Sequence, residues 1–157
     1  MKKIKLNDIR IDGGTQGRAV IDQPTVYSYR DHMNEGDEFP PMDTVYDGTT
    51  YWLVDGFHRY HAYKLMGIKE IEVNYKPGTL EEAQVLSFGM NGKHGKPRTN
   101  EDKRKVIEAA LEHPMTKGKS DYEIAKICYV SRSFVAAVRD PEVKNKQAAN
   151  RDKHTSK

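Results

Sequence analysis

The sequence predicts an α+β fold, a mixed α/β domain followed by a small all-helical module. Three observations point there. Short apolar runs rich in β-branched and aromatic residues (Met42–Tyr46, Tyr51–Val54, Ile71–Tyr75) read as strands and alternate with helical patterns in the first part of the chain. From Asn100 onward the strand signals stop, and three helix starts follow one another, each behind a capping residue. The charge divides at the same place. Residues 1–92 hold 10 Lys+Arg against 14 Asp+Glu, and residues 93–157 hold 16 against 9.

Taken in order, Ile4–Leu6 and Ile9–Ile11 are short extended segments. Asp12-Gly13-Gly14-Thr15-Gln16-Gly17-Arg18 is a glycine-rich loop whose backbone a ligand can approach closely, with Gln16 and Arg18 as polar heads. A helix is expected from Gln23 to Glu35, with Pro24 in its first turn and Gly36 ending it. Phe39-Pro40-Pro41 leads into the strand Met42–Tyr46. Asp47-Gly48 reads as a two-residue hairpin turn into Tyr51–Val54. Asp55-Gly56 breaks the extended pattern. A helix then starts at Phe57, with Ala62, Leu65 and Met66 as its apolar stripe and Gly67 as its stop.

After the strand Ile71–Tyr75, Thr79 and Glu82 form a capping box for a helix to about Phe88. Asn91 to Thr99 has the composition of a loop. Thr99 or Asn100 caps the next helix, whose buried stripe is Val106, Ile107, Ala110 and Leu111. Ser120 and Glu123 form another capping box, for a helix to about Cys128. Tyr129-Val130-Ser131 is a tight turn, and Ser131 caps a last helix through about Arg139. Two short helices joined by three residues and preceded by a longer one make a helix-turn-helix arrangement. Glycine is common in such turns, so Tyr129 must take a costly positive φ or a different turn. The domains expected are residues 1–90, residues 91–141 and a disordered basic tail, 142–157.

Composition excludes several classes. No apolar run is long enough to span a membrane. The basic N-terminus has no apolar stretch behind it, which argues against a signal peptide and makes the cytoplasm the expected location. One cysteine, Cys128, excludes an internal disulfide and a cysteine-clustered zinc site.

Two places carry candidate chemistry. His58 and Arg59 stand in the first turn of their helix, where free N–H groups and the dipole disfavour cations. A phosphate reached through the glycine turn would reconcile them. The alternative is that Arg59 pairs with Asp55 and His58 is a surface residue. The second place is the helical pair, where Ser131, Arg132 and Ser133 would face a major groove, with Lys103 and Arg139 as further DNA contacts. The basic balance of this half fits a nucleic-acid partner.

With these pieces assembled, the chain resembles the ParB/sulfiredoxin superfamily over roughly residues 4–140. Gly56, Arg59 and Ala62 are similar to its Gly-x-x-Arg-x-x-Ala phosphate motif. Gln16 and Arg18 resemble the first-box Gln and Arg. Asn91 to Arg98 lies at the third box but departs from it. With Arg98-Thr99-Asn100-Glu101-Asp102-Lys103 it looks like a compact phage- or plasmid-type subgroup. The resemblance implies a ParB-like domain that binds nucleotide or phosphate through Gln16, Arg18, Asp55, Gly56, His58, Arg59, Asn91, His94 and Arg98. It implies CTP or another nucleotide with Mg²⁺, Asp55 being the nearby carboxylate for the metal. It also implies DNA as a partner and leaves room for a homodimer. Slow nucleotide hydrolysis and a ParB-like nuclease acting on DNA are the enzymatic alternatives, with Asp55, His58 and His94 as catalytic candidates. Sulfiredoxin's catalytic cysteine would fall at Phe57, which has no thiol, so that chemistry is excluded.

Overall fold

The computed structural model describes residues 1–90, 96–140 and 142. Its five-stranded sheet has the order β1-β5-β3-β4-β2, with β1 at Lys2–Lys5, β2 at Ile9–Arg10, β3 at Met42–Tyr46, β4 at Tyr51–Asp55 and β5 at Glu70–Pro77. β3 and β4 pair antiparallel with Tyr46 opposite Tyr51. β5 lies parallel to β3, and β2 parallel to β4. β1 closes the far edge antiparallel to β5.

The middle of the sheet is covered on both faces, which explains why β4 reads as an almost unbroken apolar run. On one face Met42, Tyr51, Leu53 and Val73 pack with Phe57 and Tyr60 of helix α2 (Phe57–Leu65). On the other, Val45 and Val54 pack under Ala83 of helix α3 (Leu80–Ser87). Helix α1 (Gln23–Asn34) is capped by Asp22 and lies against α2.

Beyond α3 come α4 (Asn100–Glu112), α5 (Asp121–Cys128) and α6 (Arg132–Arg139). They share one core in which Val106, Ile107, Ala110, Ile124, Cys128 and Val135 meet Phe88 at the end of α3. The caps expected at Thr79, Thr99, Ser120 and Ser131 all form; those at Thr79 and Thr99 are full capping boxes, while of the box expected at Ser120 and Glu123 only the bond from the Glu123 N–H to the Ser120 hydroxyl forms.

Three expectations are corrected or completed. The α2 stripe is turned, so that Phe57, His58, Tyr60 and Ala62 are buried while Leu65 is 52% exposed. Aromatic rings and one imidazole fill this face, so a stripe drawn from aliphatic residues alone missed it. The β3–β4 loop is longer than two residues. Asp47 N–H donates to the Thr50 carbonyl, and the Asp47 carboxylate accepts from the N–H groups of Thr49 and Thr50 and from Trp52 Nε1. That side chain stabilises a wider turn than the Asp-Gly pair suggested. Tyr129 takes the costly option, with φ 54° and ψ 55°.

Candidate functional site

The strand-to-helix turn after β4 is built for close approach. Gly56 is the N-cap of α2 at φ 106°, and no side chain caps the helix. The N-cap residue thus supplies no side-chain acceptor to the first-turn N–H groups, and the positive end of the helix dipole lies beside the adjoining cavity. That cavity measures about 470 Å³. Gln16, Arg18, Asp55, Gly56, His58, Arg59 and Arg98, all expected at a ligand site, line it together. Asn91 and His94 lie outside the described residues.

Each cation has present partners. Arg59 Nη1 donates to the carbonyls of Pro40 (2.6 Å) and Pro41 (3.1 Å), and Nη2 stands 3.4 Å from Asp55 Oδ2. The Arg59–Asp55 pairing weighed from the sequence is thus formed. Arg98 points the other way. It donates to the carbonyls of Cys128 (2.8 Å) and Tyr129 (2.6 Å), satisfying the C-terminal end of α5. Lys96, which sequence reasoning passed over, also lines the cavity and pairs with Asp22 at 3.0 Å. Its only signal was a cation between two loop-forming residues, Gly95 and Pro97.

Arg18 is the hub. Its side chain is 7% exposed, and Nη1 meets Asp102 Oδ2 at 3.3 Å and the Pro97 carbonyl at 3.0 Å. Its Nε is buried with no hydrogen-bond partner among the described residues. Gln16 Oε1 accepts from the Arg18 N–H at 2.7 Å and so holds the loop. Lys105 donates to the carbonyls of Gln16 and Arg18. These contacts tie the glycine-rich loop to α4. Burial alone would raise the Asp102 carboxyl. The N–H groups of Ala19 and Thr99, the Thr99 hydroxyl and the Arg18 guanidinium outweigh it and hold the carboxyl below its ordinary value.

His58 is buried rather than a surface residue. Its Nε2 accepts from the Asp22 N–H at 3.1 Å. Burial, reinforced by the charges of Arg18 and Lys96, pushes the imidazole down to about 4. It is therefore neutral near pH 7 and adds no cation to the cavity. As pH falls from about 6.5 toward 4, the unfolded chain takes up a proton that the folded imidazole refuses, so stability falls across that window. His58→Gln keeps an acceptor without the titration. We expect its acid-induced stability loss between pH 7 and 4.5 to be smaller than that of the wild type by up to about 3 kcal/mol. Urea unfolding at both pH values checks this, and equal losses would remove the imidazole from the account.

In the helical module, Ser131 Oγ accepts from the Phe134 N–H and caps α6. Arg132 and Ser133 are exposed beside it. Lys103 is half-buried on α4. Arg139 donates to Asp121 at 2.7 Å and to the Lys119 carbonyl, tying the end of α6 to the start of α5. Among the described residues, no helix is long and apolar enough to cross a membrane.

No family model matches the sequence. Transcriptional regulator NovG of Streptomyces niveus is 33% identical over 108 residues, covering 68% of this chain and 33% of that protein. The chain thus spans about a third of that relative's length. The C-terminally truncated chromosome-partitioning protein ParB of Caulobacter crescentus, complexed to the centromeric parS site, superposes with a TM-score of 0.62 at 13% identity. The match covers 88% of this chain and 70% of that one. The same protein complexed with CTP-gamma-S gives 0.52 at 14% identity, over 87% and 75%. At an identity too low to carry residue roles this likeness shows the fold alone: the chain has the fold of the N-terminal ParB structures that share it with the ParB/sulfiredoxin group.

Proposed function

We propose that this chain is a DNA-binding regulator or partition-type protein whose N-terminal domain, residues 1–90, binds a nucleoside triphosphate. One observation carries the reading. The glycine-started N-terminus of α2 opens on a cavity lined by Arg18, Arg59 and Lys96 against two carboxylates among the described residues, Asp43 and Asp55. Backbone N–H groups at a helix start and guanidinium forks both suit phosphate oxygens. A triphosphate would take the N–H groups of residues 57–59, with Arg59 exchanging the Pro40 and Pro41 carbonyls for phosphate. The fold's occurrence in a ParB solved with CTP-gamma-S makes CTP the first nucleotide to try.

Asp55 is a single carboxylate already beside Arg59. It fits Mg²⁺ only if phosphate oxygens and water complete the shell, as is usual for that ion. A metal-dependent nuclease needs more ligands of its own. Among the described residues, the only cluster of three metal-ligating groups is His32, Glu35 and Asp37 on the surface, outside this cavity. The His58 nitrogen a general base would use already accepts a backbone N–H. Binding with at most slow hydrolysis is the better supported reading. The helical module, residues 91–141, would read duplex DNA as a helix-turn-helix through Ser131, Arg132 and Ser133.

Thermal unfolding with CTP, ATP, GTP and UTP in Mg²⁺ tests the cavity. A ligand at about 100 times its dissociation constant adds roughly 2.7 kcal/mol, and Arg59→Ala should abolish the shift. No shift with any nucleotide would overturn the nucleotide reading.

A further inference from the structure

A second set of donor groups stands at the C-terminal end of α1, outside the nucleotide cavity. His32 and Glu35 are three positions apart at the end of the helix and so share one face. Gly36 follows at φ 97° and turns the chain back. The Gly36 N–H donates to the Met33 carbonyl and the Asp37 N–H to the His32 carbonyl at 3.0 Å, the crossed bonds of a helix closed by a left-handed glycine. The second of these bonds returns Asp37 to the turn that carries His32. Its Oδ2 stands 2.8 Å from His32 Nδ1. One ligand atom from each of His32, Glu35 and Asp37 lies within 4.8 Å of the other two. All three residues are exposed, so an ion reaches them without any opening of the fold.

Charge points the same way. The C-terminal end of a helix carries the negative end of its dipole, where cations are favoured and carboxylates are not. Here Glu35 is the C-cap and Asp37 follows two residues on, while His32 is the basic residue of the last turn. Asp31 is already paired with Arg30 at 3.0 Å. The Glu35 carboxylate has no ion-pair partner among the described residues. A divalent cation resolves this conflict, as an anion resolves the opposite one at the start of α2.

The donor set selects the ion. One imidazole nitrogen with two carboxylates suits Zn²⁺ and its first-row neighbours, whereas Mg²⁺ and Ca²⁺ prefer shells of oxygen alone. Three protein ligands leave a position for water. A concave surface of about 420 Å³, lined by Asp31, His32 and Glu35 with Tyr27 and Ser28, adjoins the ligands and gives that water room.

We propose that His32, Glu35 and Asp37 form a surface site for a divalent transition-metal ion of the zinc class. His32 Nδ1 exchanges its bond to Asp37 for the ion and keeps the ring proton on Nε2. Glu35 and Asp37 each give one carboxylate oxygen. The bound ion ties the last turn of α1 to the segment that leads into Phe39, Pro40 and Pro41.

The test is isothermal titration calorimetry of the untagged full chain with ZnCl₂ at pH 7, without nucleotide and in a buffer that does not chelate zinc. Binding should be saturable. His32→Ala and Asp37→Asn should each weaken it at least about tenfold, because losing even a group that only supports a metal ligand costs that much. His61→Gln, which removes an imidazole of α2 outside the cluster, should bind as the wild type does. The altered side chains of the cluster are exposed, so these variants should melt with the wild type in the absence of metal. If the wild type takes up no Zn²⁺ saturably, or if His32→Ala and Asp37→Asn leave uptake unchanged, the site is not there. A loss in His61→Gln as large as that in His32→Ala would place the ion elsewhere and overturn the proposal too. MgCl₂ binding as tightly as ZnCl₂ would sink the assignment to the zinc class.

Discussion

Asp102→Ala should cost this protein about 3–5 kcal/mol of stability, the range for breaking a buried ion pair by removing one partner. That corresponds to a fall in melting midpoint of roughly 6–20 °C for a chain of this size. The expectation follows from how much one carboxylate does. Asp102 Oδ1 accepts from the Ala19 N–H at 2.8 Å. Asp102 Oδ2 accepts from the Thr99 N–H at 2.9 Å and faces Arg18 at 3.3 Å. The side chains of Asp102 and Arg18 are 6% and 7% exposed, so water reaches neither easily. Alanine would leave a guanidinium buried with carbonyls alone as acceptors, open the capping box of α4 and strand the Ala19 N–H. Replacing both partners with apolar residues, Arg18→Met with Asp102→Leu, should cost less than Asp102→Ala alone, since no uncompensated charge remains. If Asp102→Ala unfolds within about 1 kcal/mol of wild type, the pair is not what joins the loop to α4. The two readings of Arg18 also separate here. As a pure structural clamp it would leave nucleotide binding intact in whatever fraction stays folded. As a phosphate contact, with its Nε without an acceptor among the described residues, its replacement in the Arg18→Met, Asp102→Leu variant would take binding away.

That pair shows where the sequence stops being legible. Local signals were read well, because their physics is local. Thr79, Thr99, Ser120 and Ser131 cap helices whose first turns follow within three residues. The hydrophobic spacing of α4 placed Val106, Ile107 and Ala110 in the core. The Asp55-Gly56 break fixed both the end of β4 and the start of α2. At the candidate site, Gln16, Arg18, Gly56, His58 and Arg59 were picked as residue types and do converge on one cavity. What the sequence withheld was partnership across distance. Arg18 and Asp102 are 84 positions apart, and nothing in Glu101-Asp102 marked one carboxylate as a cap for its own helix and a mate for a distant arginine. Arg98 was placed at the phosphate site by its position in the family's third box; it does line the cavity, and its guanidinium also donates to carbonyls at the end of α5, which no local signal marked. His58 was weighed as a cation or a surface residue, and burial made it neutral instead. Each of these turns on which groups are buried together, and that is a property of the assembled fold.

Gly56→Ala should be the most damaging substitution of a single glycine for this site, costing roughly 2–5 kcal/mol from backbone strain and overpacking together. At φ 106° an L side chain is strained, whatever space surrounds it. A Cβ there would also stand 2.7 Å from Met42 Cγ and 3.1 Å from Arg59 Nη2. Met42 is 1% exposed and packed into the sheet core, so it has little room to withdraw. The easier release is for Arg59 to move, which would break its contacts with Pro40, Pro41 and Asp55 and shift the group proposed to grip phosphate. Stability and nucleotide binding should therefore fall together. The chain contains its own control in Gly48, at φ 104° with nothing within 4 Å of the added Cβ. Gly48→Ala pays the backbone strain alone, about 1–3 kcal/mol, and leaves the cavity untouched. The difference between the two variants, measured by urea unfolding, isolates the cost of crowding Met42 and Arg59. If Gly56→Ala proves no worse than Gly48→Ala and still binds nucleotide as the wild type does, then close packing at this turn does not define the site. If it is worse and binding is lost, the turn is glycine because Arg59 and the start of α2 must share the same few ångströms.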